Sequence, residues 1–403
     1  MENVVILGAG QAGAAAALKL RDLGFEGKIT LVGDEAYPPY ERPELSKGYA
    51  LGRTSFDALT ILTAEDAVER QIDLRLVTQG MRIDREAKQV ETSVGTIPYD
   101  ALIFATGGTA RRLPLPRKLR ARTFAIRTRD DADALREKLP LSRSVVVIGG
   151  GWLGTEVAIT ARSLCPEVHL IEAAGYLCAR VAPRWLSERL AECQSEANVN
   201  LHLGQLPTFS EDGAIAIGDA VLMPDMIIEA IGMRANDDLA KRAGLACADG
   251  ILVDTNGQTS DPAIFAIGDC ARAKEGEQMR KESWQHANHS AEDVARFLMG
   301  AAKRAPEADW FWSTQGKHKI QMVGTCDDAA EQWERRGPRG CSRLYLKGAR
   351  LIGCISMDNP RETAEARRII AAKQSLDQTK AADGAIPLSK CIADARETLR
   401  LPH

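Results

Sequence analysis

No cysteine occurs before Cys165, and the nine in the chain form no C-x-x-C pair. That pattern supports neither a zinc site, an iron–sulfur site nor a disulfide framework, so no metal is expected, and everything upstream of Cys165 lacks a redox thiol. Aromatic residues make up only 5% of the chain, which makes the run Trp310-Phe311-Trp312 conspicuous. Charge is nearly balanced, 52 Lys and Arg against 55 Asp and Glu, so net charge gives no reason to expect nucleic acid or a membrane surface as partner. No apolar run approaches the roughly 18 residues of a membrane span. The alanine-rich stretch after Gly13 is interrupted by Lys19 and Arg21. A strand begins within a few residues of Met1, leaving no space for the n- and h-regions of a secretion signal, and a cytoplasmic location is expected.

What the chain does have is glycine in two matching places. Val4-Val5-Ile6-Leu7 runs into Gly8-x-Gly10-x-x-Gly13, and Val145-Val146-Val147-Ile148 runs into Gly149-x-Gly151-x-x-Gly154. An apolar strand, this glycine spacing and a following helix let a backbone approach a pyrophosphate at a helix N-terminus. After the first copy, the strand Lys28 to Gly33 ends at Asp34-Glu35, and 34 − 13 = 21. After the second, the strand Glu167 to Ile171 ends at Glu172, and 172 − 154 = 18. An acid about 20 residues beyond the third glycine reaches a ribose hydroxyl. Each copy alone is also compatible with a tight strand–helix turn, but the order strand, glycines, helix, strand, acid favours a nucleotide. Two such copies imply two dinucleotides and electrons passing between them. At Glu172 the acid favours NADH, because a 2′-phosphate would be repelled there.

Between and after these copies, Tyr37-Pro38-Pro39-Tyr40-Glu41-Arg42-Pro43-Glu44-Leu45-Ser46-Lys47 is rigid and carries two cations. It suits gripping a cofactor or being a stiff surface loop. The apolar strand from Tyr99 ends in Ala105-Thr106-Gly107-Gly108, small residues that admit a ligand to the backbone. From Arg111 to Arg129 there are eight Lys or Arg and no acid, which reads as a solvated connector at a domain boundary. The strand before Ile231-Gly232 closes the second nucleotide region. Asp269 follows Gly268 at another strand end and suits a polyol hydroxyl or the N-cap of a helix. The last hundred or so residues read as antiparallel strands with a helix entered at Asn359-Pro360, a good N-cap and N1 pair.

These motifs together resemble the FAD-dependent NADH:ferredoxin reductases of bacterial oxygenase systems. The resemblance is carried by both glycine fingerprints, Pro39-Tyr40-Glu41-Arg42-Pro43-x-Leu45-Ser46-Lys47, Ala105-Thr106-Gly107, Glu156 just past the second fingerprint, Thr259-Ser260-Asp261-Pro262, Ile264-Phe265-Ala266-x-Gly268-Asp269, Glu282-Ser283-Trp284 and Trp310-Phe311-Trp312-Ser313. It implies a glutathione-reductase-like α/β fold, with two Rossmann-type dinucleotide-binding domains and a C-terminal α+β domain. The FAD-binding domain would comprise 1–110 and 235–307, the NAD-binding domain 111–234, and the C-terminal domain 308–403.

By the same resemblance, FAD would be held by Gly8, Gly10, Gln11, Ala12, Gly13, Asp34, Glu35, Arg42, Pro43, Lys47, Gly80, Ala105, Thr106, Gly107, Arg127, Gly268, Asp269, Ser283, Trp284 and Trp312. NADH would be held by Gly149, Gly151, Trp152, Leu153, Gly154, Glu156, Glu172, Ile231 and Gly232. Lys47 and Glu156 would form an ion pair beside the reacting flavin atom, catalytic or merely ordering the pocket. The implied partner is a [2Fe–2S] ferredoxin serving a terminal oxygenase, and its usual acidity would suit the basic run from Arg111 to Arg129. Two positions depart from the family pattern: Thr314 replaces a common acid, and Gln258 a frequent arginine. Three alternatives share the architecture. A disulfide reductase or peroxidase is disfavoured by the missing thiol, a monodehydroascorbate-type reductase remains compatible, and so does a redox-gated binding protein like apoptosis-inducing factor.

Overall fold

The computed structural model describes residues 1–275, 280–337 and 340–393. The chain folds into two units, Met1–Arg111 with Met233–Ala305, and Arg112–Gly232 with Pro306–His403.

In the first unit, β1 (Asn3–Leu7) leads into α1 (Gln11–Asp22) and then β2 (Lys28–Val32), β3 (Ile72–Arg75) and β4 (Ala101–Phe104). With the strand Ile264–Ala266 they form a parallel sheet in the order Ile264–Ala266, β4, β1, β2, β3. Strand alternation divides β1 between two cores. Val4 and Ile6 join a cluster with Ala12, Ala16 and Leu20 of α1 and Ala291 and Val294 of the helix Trp284–Leu298. Val5 and Leu7 join Ile83, Val90 and Ile97 of a small antiparallel sheet on the other face. Both faces are covered, as a parallel sheet requires.

In the second unit, β5 (Thr123–Phe124), β6 (Ser144–Ile148), α2 (Trp152–Arg162), β7 (Glu167–Glu172), α3 (Arg184–Glu196), β8 (Asn200–Leu203) and β9 (Met226–Glu229) build another parallel sheet in the order β8, β7, β6, β9, β5. The same unit holds an antiparallel sheet of β10 (Trp310–Gln315), β11 (His318–Gly324), β12 (Glu331–Arg336), β13 (Cys341–Lys347) and β14 (Arg350–Met357), ordered β10, β11, β14, β13, β12. The helix α4 (Pro360–Ala371) covers it, packing Ala366 and Ile369 against Leu344, Leu346 and Cys354.

Local expectations are corrected at two places and refined at a third. The basic run is not simply a solvated connector: Thr123–Phe124 is a strand of the sheet, and Arg112 and Arg120 converge on the buried carboxylate of Glu229, both at 3.1 Å. Arg111, Arg122 and Arg129 are bonded to the Met233 carbonyl, the Gly213 carbonyl and Asp133. With at least five of its eight cations bonded internally, the run has much less free charge to offer an acidic partner. Asn359 and Pro360 take the N-cap and N1 positions of the last helix as expected, though the Asn359 side chain makes no capping bond and bonds Ser342 Oγ instead, at 3.1 Å. Asp269 caps no helix; it lies in a single 3₁₀ turn, Gly268–Cys270, that leads into a strand.

One pH-sensitive contact arises at the start of β11. His318 Nδ1 lies 2.6 Å from Asp358 and Nε2 lies 3.1 Å from Glu196, so the ring is flanked by acids on both nitrogens. Burial lowers its pKa, but the bonds to Asp358 and Glu196 more than offset this and hold it above the ordinary histidine value. A raised folded-state pKa gives stability that is fully present below the unfolded value of about 6.5 and is lost as pH rises through the folded value. Thermal melting from about pH 6 to pH 9 is expected to show the decline, and His318→Gln to remove that component.

Candidate active site

Each glycine fingerprint is built from three glycines with different surroundings. A Cβ on Gly8 would lie 2.1 Å from the Ala105 carbonyl oxygen, and one on Gly13 would lie 1.9 Å from that of Gly8. A Cβ on Gly10 would meet nothing nearer than Arg42 Nη2, at 4.0 Å. The outer glycines therefore let strand, turn and helix close up, whereas the middle one faces open space at the N-terminus of α1. Gly8 also has φ +115°, a backbone region that residues with a Cβ rarely adopt. The second copy repeats this: a Cβ on Gly149 would lie 2.4 Å from Ala230 O and one on Gly154 1.8 Å from Gly149 O, with nothing within 4 Å of Gly151. Room kept free at the middle glycine beside a helix N-terminus fits a pyrophosphate in both units.

Around the first cradle the structure gathers several of the expected residues. Arg42 Nη2 bonds Glu35 Oε1 at 2.6 Å, and Tyr40 Oη donates to Glu35 Oε2, also at 2.6 Å. Burial lowers the Arg42 pKa, but Tyr40 beside it, the charge and hydrogen bond of Glu35 and the charge of Asp269 outweigh it and raise the value, which puts Asp269 within electrostatic reach of the same cluster. Asp34 is exposed, while Glu35 is held inside this network. Lys47 Nζ donates to the Pro43 carbonyl at 3.1 Å, and Gly268 packs so closely on α1 that a Cβ there would lie 2.9 Å from that of Ala12. Ser283 caps its helix by accepting the His286 N–H, and Trp284 Nε1 lies 3.3 Å from Glu41 Oε1. Gln11 Nε2 donates to Asn288 Oδ1 at 2.9 Å, leaving Gln11 Oε1 buried without a partner among the described residues, an acceptor suited to a ligand donor. Gly80 stands apart from these polar groups, between Leu7 and Leu239.

Asn236 was not visible as a site residue. Its Nδ2 donates to the Thr106 carbonyl at 2.9 Å, its backbone carbonyl accepts the Thr106 hydroxyl at 2.7 Å, and its N–H donates to the Gly107 carbonyl at 3.0 Å. It thereby fixes the small-residue turn after β4. Cys270 is buried and donates weakly to the Ile267 and Phe104 carbonyls, and burial pushes its thiol up. It fills space and offers no nucleophile.

In the second unit, Glu172 accepts the N–H groups of Gly150 at 2.6 Å and Ala174 at 2.8 Å, which fixes its carboxylate at the strand end. Ile231 lines the core below the cradle, and Gly232 follows with φ +90°. The ring of Trp152 lies 4.7 Å from that of Phe311, and Leu153 is half-buried beside it. Glu156 is buried one turn into α2 and accepts the Ser313 hydroxyl at 2.5 Å. Cys178 is pushed up by burial and by the charges of Glu172 and Glu156, so it too is unreactive. Trp312 stacks on Trp310 at 4.7 Å, and Arg127 donates its N–H to Asp131 at the start of the helix Arg129–Lys138.

Two cradles of this geometry fit an oxidoreductase that holds two dinucleotides. Residues 2–291 match the pyridine nucleotide-disulphide oxidoreductase family and residues 310–392 the reductase C-terminal family, and the chain belongs to the first over most of its length. Within that family it is 36% identical over 386 residues to the ferredoxin–NAD(+) reductase component of the 3-phenylpropionate/cinnamic acid dioxygenase of Photorhabdus laumondii, covering 92% of this chain and 96% of the relative. It is 34% identical to putidaredoxin reductase CamA of Pseudomonas putida, over 99% of this chain and 98% of that protein. The solved covalent complex of putidaredoxin reductase with putidaredoxin superposes with a TM-score of 0.91 at 33% identity, over 97% of this chain and 98% of that chain. The ferredoxin reductase for the CYP199A2 system of Rhodopseudomonas palustris matches equally well, at TM-score 0.91 and 34% identity, over 98% of this chain and all of that one. The chain is an FAD- and NADH-dependent reductase of the ferredoxin–NAD(+) reductase group. Among the described residues no helix is long and apolar enough to cross a membrane.

Proposed function

We propose that this chain takes hydride from NADH and delivers the electrons to a [2Fe–2S] ferredoxin that serves a terminal oxygenase. The observation that carries the reading is the pair of cradles, each closed at its outer glycines and open at its middle one. FAD, when bound, supplies the conversion from a two-electron donor to one-electron release. The relatives named as reductase components of oxygenase systems support the ferredoxin as acceptor. The described cysteines are all free, which supports placing the reaction in the reducing cytoplasm.

Each residue has a physical part. The backbone of Gly8 to Gly13 and the N-terminus of α1 would take the FAD pyrophosphate, with Glu35, Arg42 and Asp269 fixing the polar groups around it. Gly149 to Gly154 and the N-terminus of α2 would take the NADH pyrophosphate, and the fixed charge of Glu172 would turn away a 2′-phosphate. Lys47 is the cation that would favour negative charge arriving at the flavin, and Glu156 the anion that would order the nicotinamide side. Lys47→Ala is expected to slow reduction by NADH about a hundredfold and to lower the flavin midpoint potential. Both quantities unchanged in stopped-flow and spectroelectrochemical titration would remove that role. For the function itself, NADH-driven cytochrome c reduction must depend on added [2Fe–2S] ferredoxin. Turnover indifferent to ferredoxin would contradict the proposal.

A further inference from the structure

A buried polar chain in the second unit ends on Glu156. Thr155 and Gln194 are fully buried on α2 and α3, as are Ser313 and Gln315 on β10. The direction of each hydrogen bond is set by its neighbour. Thr155 donates its hydroxyl to the Trp152 carbonyl at 2.9 Å, so its oxygen is left to accept. Gln315 must therefore present its amide nitrogen, which donates to Thr155 Oγ1 and Ser313 Oγ, both at 2.9 Å. Gln194 Nε2 fixes the same orientation from the other end, donating to Gln315 Oε1 at 3.3 Å and to the Thr155 carbonyl at 2.9 Å. Ser313 already accepts, so its single proton goes to Glu156 Oε1, 2.5 Å away. The Thr314 backbone N–H reaches the same oxygen at 3.3 Å.

A carboxylate oxygen that receives two donors is favoured as the anion, while burial favours the neutral acid. We propose that Ser313, locked in one donor direction by Gln315 and Gln194, is the positioning residue that keeps Glu156 ionised and oriented. The proposal rests on the reading of Glu156 as the anion of the nicotinamide side. Cys178, after β7, is coupled to Glu156 and Glu172. The strand β10 brings no ionisable side chain, and α3 meets the network through Gln194. The network also leaves Gln194 Oε1 buried without a partner among the described residues, a cost that apolar packing would avoid.

The test compares the FAD-loaded wild type with Ser313→Ala, Gln315→Leu, Glu156→Gln and the double variant Ser313→Ala/Glu156→Gln. The direct readout is the infrared carboxyl band that Glu156→Gln deletes, titrated against pH. The second is the pH profile of flavin reduction by NADH. Ser313→Ala is expected to raise the proton affinity of Glu156 about tenfold or more, with a matching new limb at low pH in the reduction rate. Gln315→Leu should shift the band in the same direction, and it carries the test if Ser313→Ala does not fold. The double variant should show no new limb, because the carboxyl through which Ser313 acts is gone. A band midpoint that does not move in the folded variants overturns the proposal. If Glu156→Gln leaves the reduction rate unchanged while the midpoint moves, the role of Glu156 is wrong and the link from Ser313 to its charge stands.

Discussion

Replacing Gly10 by valine is expected to weaken FAD binding about a hundredfold or more while leaving the melting temperature of the apoprotein nearly unchanged. The separation follows from local geometry. Gly10 has φ −91° and ψ −163°, an extended conformation open to a β-branched residue, and its Cβ would meet no protein atom nearer than 4.0 Å. The space it fills is the one the pyrophosphate needs. Gly13→Ala is expected to damage the fold as well, because its Cβ would lie 1.9 Å from the Gly8 carbonyl oxygen. Fluorescence titration of apoprotein with FAD, beside a thermal melt, checks both. A Gly10→Val protein that retains FAD would show that the cradle has been misread.

Arg335→Ala is expected to cost about 3–5 kcal/mol of stability, because it leaves a buried carboxylate without its counter-charge. Arg335 is only 2% exposed on β12. Its guanidinium bonds Glu362 at the start of α4, the carbonyls of Ala381 and Asp383, and that of Ile386 at 2.6 Å. One side chain thus ties the sheet, its covering helix and the segment that follows. Burial pushes the Glu362 carboxyl up and Arg335 opposes that shift, so removing the cation strands the acid. Arg335→Met combined with Glu362→Leu is expected to recover much of the loss. Chemical denaturation of the single and double variants measures both, and a single variant as stable as the wild type would contradict this account.

Local, periodic features were the legible ones. The strand before each fingerprint, the glycine spacing and the acid at the next strand end lie within a few dozen residues and obey simple steric rules. The antiparallel strands and helix of the last segment also follow from alternation and from Asn359-Pro360. The groups that complete the site are far apart in sequence: Thr106 and Asn236 are separated by 130 residues, Leu113 and Glu229 by 116, and Gln194 and Gln315 by 121. No spacing rule joins such pairs. Glu229 was hidden because it ends an apolar strand and reads as part of the core edge, so the arginines it holds read as solvated. Asn359 holds the expected N-cap position, but its side chain turns to Ser342, a partner on another strand that lies outside any local rule.

The central claim is best tested by an anaerobic titration of the purified FAD-loaded protein with NADH, following flavin absorbance, then adding a [2Fe–2S] ferredoxin with cytochrome c as reporter. Rapid bleaching by NADH, followed by cytochrome reduction only once ferredoxin is present, is the expected result. Bleaching that ferredoxin cannot discharge, with a flavin–nicotinamide charge-transfer band that survives air, would contradict the reductase and favour a redox-gated binding protein.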